Sequence, residues 1–232
     1  MITTNPVMTS WQDPEKGRDT MFSEKMQRLG ASPSVIRDLF EYGIKRKAEI
    51  GADKVFDFSI GNPSVEPPKI VSDTIKKLLD ETDSVSLFGY TSAPGDMTAR
   101  KAVSDYINKT YGQTLSPSNI YMTCGAAASL TITFSALCEK GDEFITFAPY
   151  FPEYRVFVEA SGGIFKAAAS KEDDMQPDIG DLERLINPHT KAVLINSPNN
   201  PSGAVIKKEG IEDIFILGSC KEKNIDKLIK MI

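Results

Sequence analysis

The chain has 232 residues, 41% of them apolar and 25% charged, an ordinary globular composition with enough length to bury roughly 70–75% of the unfolded surface. Its net charge of −5 argues against a general nucleic-acid binder, and no run of about 18 apolar residues is present to span a membrane. No basic segment followed by an apolar one opens the chain, so no secretory signal is expected and the cytosol is the default location. Cys124, Cys138 and Cys220 are odd in number and widely spaced. They match neither a disulfide framework nor a zinc ligand set, and the first two are expected to be free, buried thiols.

Residues 1 to about 20 are polar and read as an extended arm without a core of its own. Trp11 is the exception and needs somewhere to dock, with a partner subunit as one such place. A helix is expected from Ser34, with Val35, Ile36, Leu39, Phe40, Gly43 and Ile44 at helical spacing. Ser32-Pro33 or Ser34 gives the start signal, and Lys45-Arg46-Lys47 complements the dipole at its end. Val55 to Ile60 alternates like a strand and stops in Gly61-Asn62-Pro63. Pro68 suits the first turn of a helix from Lys69 to about Asp80, whose stripe is Val71, Ile75, Leu78 and Leu79. Phe88 to Gly95 reads as a loop and Asp96 to Tyr111 as an amphipathic helix. Asn119 to Thr123 reads as a strand running through Cys124-Gly125 into a helix from Ala126 to Glu139, closed by Lys140-Gly141.

Strand and helix then alternate: Asp142–Phe147, a loop over Ala148–Pro152, a helix over Glu153–Ser161, and a strand over Ile164–Ala168. Residues 171–176 read as acidic and exposed, and Asp178–Ile186 as a helix. His189, the single histidine, falls in a turn and is expected at the surface without a catalytic role. A short β-rich apolar run, Ala192 to Ile195, follows, of the kind a strand buried on both faces shows. It stops at once in Asn196-Ser-Pro-Asn-Asn-Pro-Ser-Gly203, and a last helix is expected over Lys207–Lys223. This alternation predicts an α/β fold with a parallel sheet and helices on both faces.

Three stretches carry chemistry. The Asn196–Gly203 loop holds two prolines, three asparagines and a glycine, which can neither extend a strand nor start a helix. It therefore forms a rigid loop at the carboxyl end of a strand, where open α/β sheets bind ligands. An ordinary Asx/Pro turn is the alternative. Thr123-Cys-Gly-Ala-Ala-Ala128 places glycine and small residues at a helix start, whose free N–H groups and dipole suit a phosphate. A tightly packed strand–helix turn accounts for it equally well. Ala148-Pro-Tyr-Phe-Pro-Glu-Tyr154 holds three aromatic rings that either cover a flat ligand or pack in the core. Each of the three follows an expected strand, so all are expected on one sheet edge, where a phosphorylated, flat, aromatic cofactor fits.

With these motifs the chain resembles the class I/II aminotransferases, pyridoxal-phosphate enzymes of fold type I, in the aspartate-aminotransferase-like branch. The resemblance rests on Ser59-Ile-Gly-Asn-Pro63, Gly89-Tyr-Thr-Ser-Ala-Pro-Gly95 with Arg100, Thr123–Ala128, Ala148–Pro152 and Asn196–Gly203. It implies a three-layer large domain with a mostly parallel sheet, covered here in part (65–232), and an arm with a small-domain segment (1–64). It also implies pyridoxal 5'-phosphate as cofactor, an amino acid and a 2-oxo acid as substrates, and a homodimer with shared sites. By the resemblance, Gly125, Ala126 and Ala127 offer N–H groups to the cofactor phosphate, and Tyr90 reaches the phosphate of the neighbouring subunit. Phe151 stacks on the pyridine ring, Asn200 hydrogen-bonds its phenolic oxygen, and Gly61 lies beside the substrate carboxylate. Ala127 stands where many relatives carry a hydroxyl or a lysine. The family also needs a Schiff-base lysine in a Ser-x-Ser-Lys-like segment and an Asp-Glu-x-Tyr-like strand end, and neither follows Gly203. Lys221, in Gly-Ser-Cys-Lys, reads as a surface lysine in a helical pattern. No catalytic residue is therefore assigned, and the chain alone is expected to be inactive, a truncated relative. A non-catalytic homologue acting in binding or dimerisation is the alternative, and a lyase or decarboxylase of the same fold is a third reading.

Overall fold

The computed structural model describes residues 23–31, 35–61, 65–219 and 229–230. Trp11, the start signals at 32–34, Asn62-Pro63, Cys220 and Lys221 lie outside them. The chain divides into two compact units, Met1–Lys77 and Leu78–Ile232.

In the first unit, α1 (Glu24–Ala31) and α2 (Val35–Ile50) precede a 3-10 turn at Ala52–Lys54. The segment after it, expected as a strand over Val55–Ile60, is not one. Its alternation is real, but a strand needs a neighbour's backbone to bond, and no ladder partner is present among the described residues. Phe56 and Phe58 are exposed as a result. Asp57 ties the segment to α2: it accepts from Ser59 N and Oγ at 3.1 and 2.6 Å and from Lys47 Nζ at 2.9 Å. α3 (Lys69–Glu81), which contains the division between the units, buries none of its residues.

The second unit continues with α4 (Ser84–Phe88), so Phe88 ends a helix where a loop is expected. α5 (Met97–Tyr111) starts at Asp96, which accepts from Ala99 N, and ends at left-handed Gly112. Arg100 is buried and donates to Ile120 O at 2.9 Å. The strand expected over Asn119–Thr123 is also missing, because Met122 N–H bonds Pro94 O at 2.9 Å and not a neighbouring strand. That approach is close: a Cβ on Gly95, itself at φ +101°, would sit 2.7 Å from Met122 Cβ.

From α6 (Ala126–Leu137) onward the alternation holds, through β1 (Glu143–Phe147), α7 (Glu153–Ala160), β2 (Ile164–Ala168), α8 (Ile179–Leu185), β3 (Thr190–Ile195), α9 (Lys208–Ser219) and the two-residue β4 (Ile229–Lys230). The sheet order is β2-β1-β3-β4 and every pairing is parallel. Alternate residues of β1 and β3 feed opposite faces. Ile145, Phe147, Val193 and Ile195 pack with Leu182 and Ile186 from the α8 segment and with Ile214 of α9. Phe144, Ala192 and Leu194 pack with Leu130 and Phe134 of α6 and with Tyr154 and Val158 of α7. Phe134 meets Phe144 edge-on at 5.1 Å between centroids. Thr146 satisfies its buried hydroxyl on Leu194 O at 2.9 Å, as a polar group inside a core must.

Two further expectations are corrected. Cys124 is exposed and only Cys138 is part-buried. Gln176, expected in an exposed acidic stretch, is buried, because its amide meets backbone groups that arrive later in the chain. His189 is exposed in a turn, as expected.

Phe144→Ala is expected to lower stability by about 3–5 kcal/mol, against under about 0.5 kcal/mol for Ile132→Ala on the exposed side of α6, read from denaturant midpoints. Hydrogen bonds from Ser59, then from Lys47, lower the Asp57 pKa from 3.8 to about 2. The sign follows: the tie is complete above the ordinary carboxylate pKa and is lost as pH falls through the lowered one. A carboxyl NMR titration is expected to give a midpoint near that lowered value, shifted upward in Ser59→Ala; an ordinary midpoint in the unaltered chain contradicts the tie.

Candidate functional site

Parallel strands place all their carboxyl ends on one sheet edge. Two loops leave the core there. After β1 the chain runs through Ala148, a cis bond to Pro149, and Tyr150-Phe151-Pro152 into α7. After β3 it runs through Asn196–Gly203, with cis bonds before Pro198 and Pro201.

The rings of the first loop divide their work. Tyr150 lies 4.9 Å from Phe165, so it packs on β2. Tyr154 is buried; burial raises the pKa of its hydroxyl, and the Asn196 side chain beside it draws it partly back. Phe151 is half-buried, its ring edge-on to Tyr154 at 5.5 Å. Only part of the aromatic cluster is therefore left for a ligand.

The second loop is bonded to itself. Asn199 N donates to Ala204 O at 2.8 Å, and Gly203 N to Asn199 O at 2.7 Å. Asn199 Oδ1 accepts from Ser202 N and Oγ at 3.2 and 3.0 Å. Ser197 Oγ accepts from Ile206 N at 3.0 Å. The two central asparagines are thus distinct. Asn199 spends its side chain on the turn, whereas Asn200 is exposed and its amide has no partner among the described residues.

Gly125 precedes α6 with φ +85°, a conformation that favours glycine. Its own N–H is taken by Thr123 O at 2.9 Å. Thr123 Oγ1 and Ser129 Oγ, 2.5 Å apart, fasten the turn further. The exposed Ala126 and Ala127 begin α6, and a helix's first N–H groups lack intrahelical acceptors. This turn follows irregular chain and not a strand, so the expectation that all three motifs follow strands is corrected: two do. Tyr90 is fully exposed. Gly61 is exposed and belongs to the first unit. Among the described residues no group of three or more His, Cys, Asp or Glu could hold a metal, and no helix is long and apolar enough to cross a membrane.

Two features escaped the sequence: the Asn196 side chain beside the Tyr154 hydroxyl and the buried Gln176. Neither has a local signal, since both pair residues far apart in the chain.

The fold is that of α/β proteins with a parallel sheet flanked by helices, and it matches solved aminotransferases. The sequence pattern of the family "Aminotransferase class I and II" matches residues 53–225, and the chain belongs to that family. An aspartate aminotransferase of Pyrococcus horikoshii is 33% identical over 76% of this chain and 43% of its own length. The crystal structure of an amino transferase from Eubacterium rectale superposes with a TM-score of 0.85 at 49% identity, over 91% of this chain and 54% of that one. The aspartate aminotransferase of Thermus thermophilus with maleate gives 0.77 at 25% identity, over 91% and 53%. The chain thus spans about half the length of the curated relatives it matches.

Asn199→Ala removes the acceptor used by Ser202 N and Oγ and is expected to cost about 0.5–1.5 kcal/mol, read from the thermal midpoint. An unchanged midpoint contradicts the self-bonded loop.

Proposed function

We propose that this chain is the cofactor-holding part of a pyridoxal-phosphate-dependent aminotransferase, with an amino acid and a 2-oxo acid as substrates. The observation that carries the reading is Asn200: an exposed amide without a partner among the described residues, on a loop otherwise bonded to itself, at the carboxyl end of a doubly buried strand. In this reading Ala126 and Ala127 donate their N–H groups to the phosphate, and Gly125 admits its close approach. Phe151 lies against the ring and orients it. Asn200 donates to the phenolic oxygen. Tyr90, exposed and with no hydrogen-bond partner among the described residues, donates its hydroxyl to the phosphate of a second copy, which makes the working unit a homodimer. Gly61 leaves room for the substrate carboxylate. Residues 1–64 form the arm and small-domain segment, 65–232 belong to the cofactor domain, and the protein works in the cytosol. Bound pyridoxal phosphate supplies a ring that accepts electrons from the substrate carbon.

The residues that anchor the cofactor covalently and move the proton are a different matter. Neither Ser-x-Ser-Lys nor Asp-Glu-x-Tyr follows Gly203 in the 232 residues. We infer that the chain by itself holds the cofactor without turning it over. The purified chain, given an amino acid, 2-oxoglutarate and pyridoxal phosphate, is expected to form no 2-oxo acid product. Addition of a polypeptide covering the remaining half of a relative is expected to restore activity. Turnover at an ordinary rate of about 1–1,000 per second by the chain alone contradicts this.

Two variants test the site itself. Asn200→Ala is expected to weaken pyridoxal phosphate binding about fivefold, and Ala127→Ser to tighten it about three- to tenfold by adding a donor to a charged group. Titration of the cofactor's absorbance reads both. An Ala127→Ser chain with unaltered affinity places the phosphate elsewhere.

A further inference from the structure

We propose that Gln176 is a positioning residue that clamps the asparagine loop from outside. That the clamp serves a cofactor, by holding Asn200, rests on the reading given above. The inner part of the loop is closed by its own bonds, but its outer leg, 204–207, needs support before α9 begins. Gln176 supplies that support with both ends of one amide: Nε2 donates to Val205 O at 3.0 Å and Oε1 accepts from Lys207 N at 2.8 Å. The Gln176 side chain is 9% exposed and both bonds are part-buried, so an amide left unpaired there would be costly.

The clamp stands on a fixed base. Lys171 N donates to Gln176 O at 2.8 Å, Ser170 and Pro177 form an antiparallel bridge, and Asp178 N donates to Ala169 O at 3.1 Å. Asp181 of α8 accepts from Ala169 N at 2.6 Å. Met175 takes a left-handed φ of +55° just before Gln176, a conformation that persists in a non-glycine residue where the surroundings over-determine it. A planar amide that donates at one end and accepts at the other matches a carbonyl and an N–H two residues apart. Neither Leu nor Lys at 176 could do this.

The nearby Lys207–Asp174 pair, at 2.8 Å, is exposed and contributes little. It therefore serves as the control. Hydrogen exchange read by mass spectrometry on the full chain is the test. In Gln176→Leu, exchange in the 197–207 peptides is expected to rise about tenfold, in Gln176→Glu about threefold, and in Lys207→Met less than about twofold, with β1 and β3 unchanged. Glu keeps the size and one acceptor, so partial retention by it separates a clamp from simple filling of space. If Gln176→Leu loosens the sheet as well, Gln176→Glu decides by the same criterion. Unchanged loop exchange in the Gln176 variants, or an equal rise in Lys207→Met, overturns the proposal. Failure of the unaltered chain to bind pyridoxal phosphate would sink the reading of the site, while the exchange result still decides the clamp.

Discussion

β3 has helices against both of its faces, so Ala192 and Leu194 are committed to one core layer and Val193 and Ile195 to the other. A strand held in this way has little freedom in register, because a slip of one residue would exchange the two layers. The chain leaves the core at Asn196, and the next eight residues inherit that fixed starting point. Ser197 bonds across to Ile206, Asn199 closes the turn on itself, and Asn200 is left as the polar group the loop presents. Two-sided burial thus determines where an amide emerges from the sheet edge.

The neighbouring features depend on the same strand. Tyr154 is packed against the β1–β3 layer, so α7 is seated on that layer and positions Phe151 through ring contact. On the other side, Gln176 reaches the outer leg of the loop from the turn before α8. The loop is therefore held by its own bonds and, at its exit, by an amide. Such preorganisation reduces what a ligand must order on binding.

Much of this was legible in the sequence, for a physical reason. β1, β2 and β3 are short apolar runs bounded by Gly, Pro and Asn, and α5 and α8 open on aspartates whose carboxylates cap the first turn; these are local signals. What failed to read were features set by distant partners. Val55–Ile60 and Asn119–Thr123 have strand patterns, but pattern does not provide a ladder, and no strand pairs with either among the described residues. Gln176 sits in an acidic turn and is buried only because Val205 and Lys207 return to it. Phe151 and Asn200 read correctly as loop positions behind strands. The turn at Gly125 was placed behind a strand that does not form.

The chain spans about half of its relatives' length, and many large apolar side chains, among them Ile75, Leu78 and Phe88, are exposed. Clustered exposed apolar side chains are what another polypeptide commonly covers. The central claim is that the edge behind β3 holds the cofactor regardless of that cover. Amide chemical-shift mapping during titration with pyridoxal phosphate tests it most directly. The account predicts shifts concentrated at Ala126, Ala127, Phe151 and the Asn200 side chain. Shifts confined to other surfaces, or none at saturating cofactor, would contradict it.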